Sequence, residues 1–310
     1  MTVPRVRYRT GLTDSGWWDG FEFRPDDIVV STPSKCGTTW AQMICMLLVL
    51  GSPDLPAPLT ALSPWLDMWL RPVREVRDLL DRQTHRRVIK THTPLDGLPV
   101  APGVTYVVVG RDPRDVAVSM SHHRANLDSA VLARLHDAAG LELDRPRQPR
   151  ATDPRLRVLE WIDADQPPAE NLSCLRGTVW HLADAWSRRQ EDRVVLLHYT
   201  DLSRDLAGQM RLVAARLRIE VPESRWPDLI RAATFGKMRQ RAAELAPDEG
   251  LGLFSDRDRF FRSGSSGQWR QLLTEADQTH YQRRLAALAP ADLRHWLHHG
   301  SGAAVPSPPR

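Results

Sequence analysis

A short apolar run at residues 27–31 (DIVVS) leads directly into PSKCGTTW and then into AQMICMLLVLG. This junction constrains the fold more than any other stretch. An apolar run of strand length with no polar alternation is the pattern of a strand buried on both faces. The segment after it has helical length and stops at Gly51, a residue suited to a helix C-terminus. A strand that turns straight into an apolar helix belongs to a parallel sheet, whose strands need crossover connections. Residues 87–91 (RVIKT) predict a second strand and residues 105–109 (TYVVV) a third, which runs into GRDPRD and a helix from about Pro113. Residues 194–199 (VVLLHY) predict a fourth.

Helices are expected at 71–83, 175–190 and 201–218, a helix or turn at 226–245, and two short helices at the end of the fold. Residues 125–172 differ in character. Their segment LDRPRQPRATDPRLR is rich in Arg and Pro and predicts a long surface excursion, a lid on the acceptor side. The expected organisation is one domain over residues 1–300 and a disordered tail at 301–310.

The corner at 33–40 has the chemistry of a phosphate loop. A helix N-terminus presents unpaired N–H groups and a partial positive charge. Gly37 permits close backbone approach, Thr38 and Thr39 add hydroxyl donors, and Lys35 supplies a mobile cation. A lone Gly-Thr-Thr would be ordinary helix capping; the lysine beside it favours phosphate. No GK[ST] follows, which separates this loop from the ATP-binding kind and speaks against the rival reading, a nucleotide-dependent kinase. Lys and Arg number 42 against 38 Asp and Glu, a net charge of +4. That balance suits an anionic ligand in a cleft and is too small to argue for nucleic acid.

Lys90, Thr91 and His92 fall at the C-terminal end of the second strand, the edge where open parallel sheets bind ligands. An imidazole there can take a proton, and a neighbouring cation can offset charge on transferring oxygens. The other histidines, His122 and His123 among them, earn no role from the sequence. Arg111 stands at the end of the third strand and Ser119 follows eight residues later. The three cysteines, Cys36, Cys45 and Cys174, show no CxxC spacing, so neither disulfides nor a zinc cluster is expected, and a reducing cytoplasm fits. The apolar run at 43–50 is far shorter than the ~20 residues of a membrane-spanning helix, so any meeting with a membrane would be peripheral.

PSKCGTTW resembles the 5'-phosphosulfate loop of the cytosolic and bacterial sulfotransferases that use 3'-phosphoadenylyl sulfate (PAPS). The resemblance implies an α/β fold, a single P-loop-like domain with a central parallel sheet flanked by helices. It implies PAPS as co-substrate and no metal. Lys35 then contacts the oxygen bridging sulfate and phosphate. Cys36, where Ser is common, and Gly37, Thr38 and Thr39 cradle the 5' end, and Trp40 packs on the adenine. KTHTP resembles the family's KTHLP motif, with Thr93 in place of Leu; its histidine, here His92, is the general base, assisted by Lys90. Arg111 and Ser119 match the family's 3'-phosphate pair. Arg262-Ser263-Gly264-Ser-Ser-Gly-Gln-Trp-Arg resembles RKGxxGDWK, with Ser263 for Lys, Gln268 for Asp and Arg270 for Lys. Tyr199 and Phe235 resemble the other aromatics of the adenine pocket. SPWLD at 63–67 and KTHTPLDGL at 90–98 resemble bacterial glycolipid sulfotransferases, which implies a glycolipid acceptor, the alternative being a small phenol or alcohol. TEADQTH does not match the dimer motif of many animal members, so the oligomeric state stays open.

Overall fold

The computed structural model describes residues 6–69, 71–138, 151–247, 252–256 and 258–302. In chain order its main elements are β1 (Ile28–Ser31), α1 (Thr38–Leu50), α2 (Leu59–Leu62), α3 (Val73–Arg82), β2 (Val88–Thr91), β3 (Thr105–Gly110), α4 (Pro113–Ala125), α5 (Ser129–Ala138), α6 (Pro154–Asp163) and α7 (Leu175–Ser187). The second half comprises β4 (Val194–His198), α8 (Tyr199–Arg204), α9 (Leu206–Arg216), α10 (Trp226–Ala232), α11 (Phe235–Gln240), α12 (Ala242–Leu245), α13 (Glu275–Leu288) and α14 (Ala291–His299). The strands form one four-stranded sheet in the order β2-β1-β3-β4, every pairing parallel.

Alternate strand residues go to opposite faces, and each face has its own core. Ile28, Val30, Val88, Val107 and Val109 pack with α1, α9 and α10. Val29, Ile89 and Val108 pack with α4, α6, α7 and α13. Continuous apolar strands are what a sheet covered on both sides requires. The chain leaves β1 for β2 on one side and then returns for β3 on the other. This reversal opens a crevice at the C-terminal ends of β1 and β3, where such sheets bind their ligands. The opposite edge is held by a buried ion pair, Arg87 to Asp27 at 2.5 Å, remote from that crevice in the strand direction.

The excursion expected over 125–172 needs correction. Asp153 caps α6 by accepting from the Arg155 amide, and Pro154 takes the first helical position. Val158, Trp161 and Ile162 are buried in the core, and Arg155 pairs with Asp277 of α13 at 2.6 Å. This stretch is a packed helix, not a surface lid. Residues 126–128 instead pair with residues 253–256 through Asp128 N to Leu253 O (2.9 Å), Ser255 N to Asn126 O (2.9 Å) and a bridge between Leu127 and Phe254. Residues 139–150 of the expected excursion and 303–310 of the expected tail lie outside the described residues. The helix expected over 201–218 is two helices, α8 and α9, broken at Asp205.

Candidate active site

Each strand delivers a site residue from its C-terminal end. β1 leads into the loop at 32–37, β2 into His92, β3 into Arg111 and β4 into Tyr199. In the loop, Lys35 (φ 67°) and Gly37 (φ 107°) both adopt left-handed conformations. A Cβ on Gly37 would come within 3.1 Å of the Tyr199 ring. Gly37 caps α1 without a side-chain bond, and a helix start of this kind turns its first-turn amides outward as donors for an anion. Thr38 Oγ1 lies 2.5 Å from Thr32 Oγ1, tying the helix start back to the strand.

One pocket brings together Lys35, Gly37, Thr38, Thr39, Trp40, Lys90, His92, Arg111, Ser119, Tyr199, Phe235, Arg262, Ser263 and Gly264. Among the described residues that line it there are four Lys or Arg side chains and no carboxylate. Aromatic faces hold three of them: Lys35 Nζ is 4.5 Å from the Phe260 centroid, Lys90 Nζ 4.1 Å from that of Trp65, and the Arg111 guanidinium 4.1 Å from that of Tyr199. Burial lowers the Lys35 pKa to about 7, helped by repulsion from Arg111, Lys90 and Arg262. An anion would relieve that repulsion. Arg111 donates to Lys35 O and Ser265 O, both at 3.1 Å, and its buried Nε has no partner.

The Cys36 side chain turns away from the pocket. It is fully buried in the core, and burial raises its thiol pKa to about 12. Any contribution of position 36 to the pocket would come from its backbone.

The glycine loop at 262–269 is fastened to α4. Gly267 N donates to both oxygens of Asp115, at 2.8 and 3.0 Å. Gln268 donates to Ser263 Oγ and Ser265 Oγ, each at 2.6 Å, and accepts from Arg262. A neutral Gln with two serines thus orders the segment that in the resembled motif carries Lys and Asp. The Phe235 ring lies over Gly264, where a Cβ would approach it to 2.6 Å. Trp40 meets Tyr199 edge-on at 5.3 Å and donates to Ala233 O at 2.8 Å.

His92 Nδ1 donates to Thr32 O at 2.7 Å, which leaves Nε2 as the basic nitrogen. Trp65 packs edge-on against the ring at 4.6 Å. Burial and then Lys90 push the His92 pKa down to about 3, so the imidazole is neutral at neutral pH. Beyond it the pocket wall is apolar, formed by Leu12, Met68, Leu127, Leu132, Phe254 and Phe260.

Sequence reasoning missed two contributors on α4. His123 lines the pocket between Phe254 (5.5 Å) and Phe260 (6.3 Å), and Asp115 anchors the glycine loop. The signal was present: 115, 119 and 123 are four apart, so a helix that points Ser119 at the ligand points the other two to the same side.

The profile of the sulfotransferase domain matches residues 25–287. A glycolipid sulfotransferase of Mycobacterium bovis (strain BCG / Pasteur 1173P2) is 42% identical over 312 residues, covering 96% of this chain and 95% of that protein. The glycolipid sulfotransferase of Mycobacterium tuberculosis (strain ATCC 25618 / H37Rv) is 42% identical over 311 residues with the same coverage. Among solved structures, a mouse sulfotransferase complexed with PAP matches with a TM-score of 0.66 at 21% identity, over 91% of this chain and 90% of that one. Retinol dehydratase in complex with androsterone and inactive cofactor PAP matches with a TM-score of 0.64 at 21% identity, over 89% and 85% of the two chains.

Proposed function

The chain belongs to the sulfotransferase family, and we propose that it transfers a sulfuryl group from PAPS to a hydroxyl of a glycolipid. The observation that carries this reading is a crevice that, among the described residues, is lined by four Lys or Arg side chains and no carboxylate, with the neutral imidazole of His92 beside Lys90 on Trp65. The 5' end of the donor lies on the α1 N-terminus with Lys35, Thr38 and Thr39. Arg111, Ser119, Arg262, Ser263 and Gly264 take the 3'-phosphate, and Trp40, Tyr199 and Phe235 the adenine. His92 Nε2 accepts the proton of the acceptor hydroxyl as its oxygen bonds to sulfur. The bond from sulfur to the bridging oxygen breaks, and its electron pair leaves on adenosine 3',5'-bisphosphate (PAP). Lys35 and Lys90 offset charge on the bridging and sulfuryl oxygens.

The apolar wall beyond His92 supports an acceptor whose hydroxyl rides on an apolar body, and the 42% identical relatives named for glycolipids support that class. Within the described residues no helix is long and apolar enough to cross a membrane, so the acceptor would be met at a membrane surface or in solution. The three cysteines are unpaired and buried, which supports a cytoplasmic site of action. The test is transfer of labelled sulfate from PAPS to a panel of glycolipids and simple phenols. Label on glycolipid, and a kcat at least ~100-fold lower in His92→Ala with PAP affinity kept within about threefold, is the expected outcome. Label on phenols alone overturns the acceptor, and a near-normal rate in the variant overturns the base.

A further inference from the structure

Asp67 has no part in the chemistry just described, yet it lies directly behind it. Its side chain is fully buried. Four neutral donors converge on the carboxylate. Oδ2 accepts from Trp18 Nε1 (2.9 Å), Thr91 Oγ1 (2.6 Å) and Thr93 Oγ1 (2.7 Å), and Oδ1 accepts from Trp65 Nε1 (2.7 Å). Burying a carboxylate among neutral donors costs stability, and burial raises this one's pKa. Filling the same space with apolar groups would be the more stable solution.

The identity of the partners shows what the carboxylate sustains. Thr91 and Thr93 flank His92 in sequence. Trp65 supports His92 at its edge and Lys90 on its face. Thr93 is held at every polar atom: its N–H donates to Thr91 Oγ1 (2.9 Å), its hydroxyl to Asp67, and its carbonyl accepts from Ser31 Oγ (2.6 Å). Ser31 in turn accepts from His181 Nε2 at 3.0 Å. The ring of His92 is keyed separately to Thr32, which contacts the start of α1. Thr93 is also the residue that replaces Leu in the KTHLP-type motif, so this arm of the network belongs to this chain's own version of the site.

We propose that Asp67 is a positioning residue of the sulfuryl transfer, holding Thr91, Thr93 and Trp65 so that His92 and Lys90 keep one geometry at the reacting oxygens. The proposal rests on His92 being the base. Asp67→Asn keeps the shape but turns one acceptor into a donor facing donors. Misplacement of a catalytic group by about 1 Å costs on the order of 100-fold. The variant is therefore expected to lose about 10- to 100-fold in kcat, while acceptor KM and PAP affinity move by less than about threefold. NMR of the His92 imidazole nitrogens should show their signals shift and broaden as the ring loses its single position, with the Nδ1–H tautomer set by Thr32 retained. A folded variant with wild-type kcat and an unchanged His92 signal overturns the proposal. Thr93→Val removes one arm without burying a new polar group and should lose roughly three- to tenfold in kcat. An unaltered rate and His92 signal in Thr93→Val overturns the proposal even if Asp67→Asn does not fold. The NMR readout needs no turnover, so failure of the glycolipid reading is distinguishable from failure of this one.

Discussion

Lys35 combines two unfavourable features. Its backbone is left-handed, which for a non-glycine residue costs roughly 1–2 kcal/mol. Its ammonium is buried beside Arg111, Lys90 and Arg262, which brings its pKa to about 7. Both make sense if a multiply charged anion completes the site, because the ligand turns mutual repulsion into shared attraction. A linkage follows, with its sign fixed by the direction of the shift. Above pH 7 the empty site loses the Lys35 proton, whereas the complex keeps it, so binding takes up a proton. PAP affinity should fall by about tenfold per pH unit above 7. Lys35→Arg, whose charge does not titrate, should flatten that slope. Calorimetry in buffers of different ionisation enthalpy checks both, and a flat wild-type profile between pH 7 and 8.5 would refute the linkage. At this scale the sequence was informative about place: His92 and Arg111, expected at strand ends, both follow their strands and line the pocket. It was silent on the direction of the Cys36 side chain, because a loop residue's identity does not tell whether its side chain faces pocket or core.

The four strands and the helices α1, α4 and α7 were legible because burial on both sheet faces leaves continuous apolar runs and abrupt helix starts. α6 was not, since the Arg and Pro around it overwhelmed a three-residue signal. Val158, Trp161 and Ile162 recur at i, i+3 and i+4, and Asp-Pro marks the helix start, yet LDRPRQPR just before it reads as solvated chain. The packing makes a clear prediction. Trp161 is 3% exposed, and cutting it to Ala should destabilise the protein by about 3–5 kcal/mol. A mobile lid would instead tolerate the change in a denaturant titration and show it in turnover. Within the site, the acceptor wall drew on segments that sequence could not join, since the pairing of 126–128 with 253–256 depends on backbone bonds. Asp115 reaches across from α4 to Gly267 in the same manner. These long-range ties give the apolar wall and the glycine loop their places; the i, i+4 spacing on α4 aims Asp115 towards the site, but no local pattern announces its partner Gly267 or the pairing of 126–128 with 253–256.

Over the whole molecule, several histidines are buried in their neutral form. Burial lowers the pKa of His181 to about 3 and of His298 to about 4, and it lowers His198 as well. A histidine depressed in the folded state is protonated first in the unfolded state, so its contribution is complete above ~6.5 and is lost as pH falls from there towards 3. Asp67, Asp96 and Asp115, raised by burial, oppose this as pH falls towards their unfolded value. A comparison that cancels them isolates one group. His181→Gln removes a single titrating site that is 1% exposed in the core. The stability gap between wild type and variant should narrow by about 2 kcal/mol between pH 7.5 and pH 5. Urea titrations at the two pH values measure it, and a constant gap would mean that His181 is not held neutral. The same physics bears on activity. Because His92 stays unprotonated down to about pH 3, acid should abolish turnover by unfolding the protein rather than by titrating its base. The acid limb of kcat/KM should therefore coincide with loss of the circular dichroism signal. A limb near pH 6.5 in a fully folded protein would mean that burial does not hold His92 neutral.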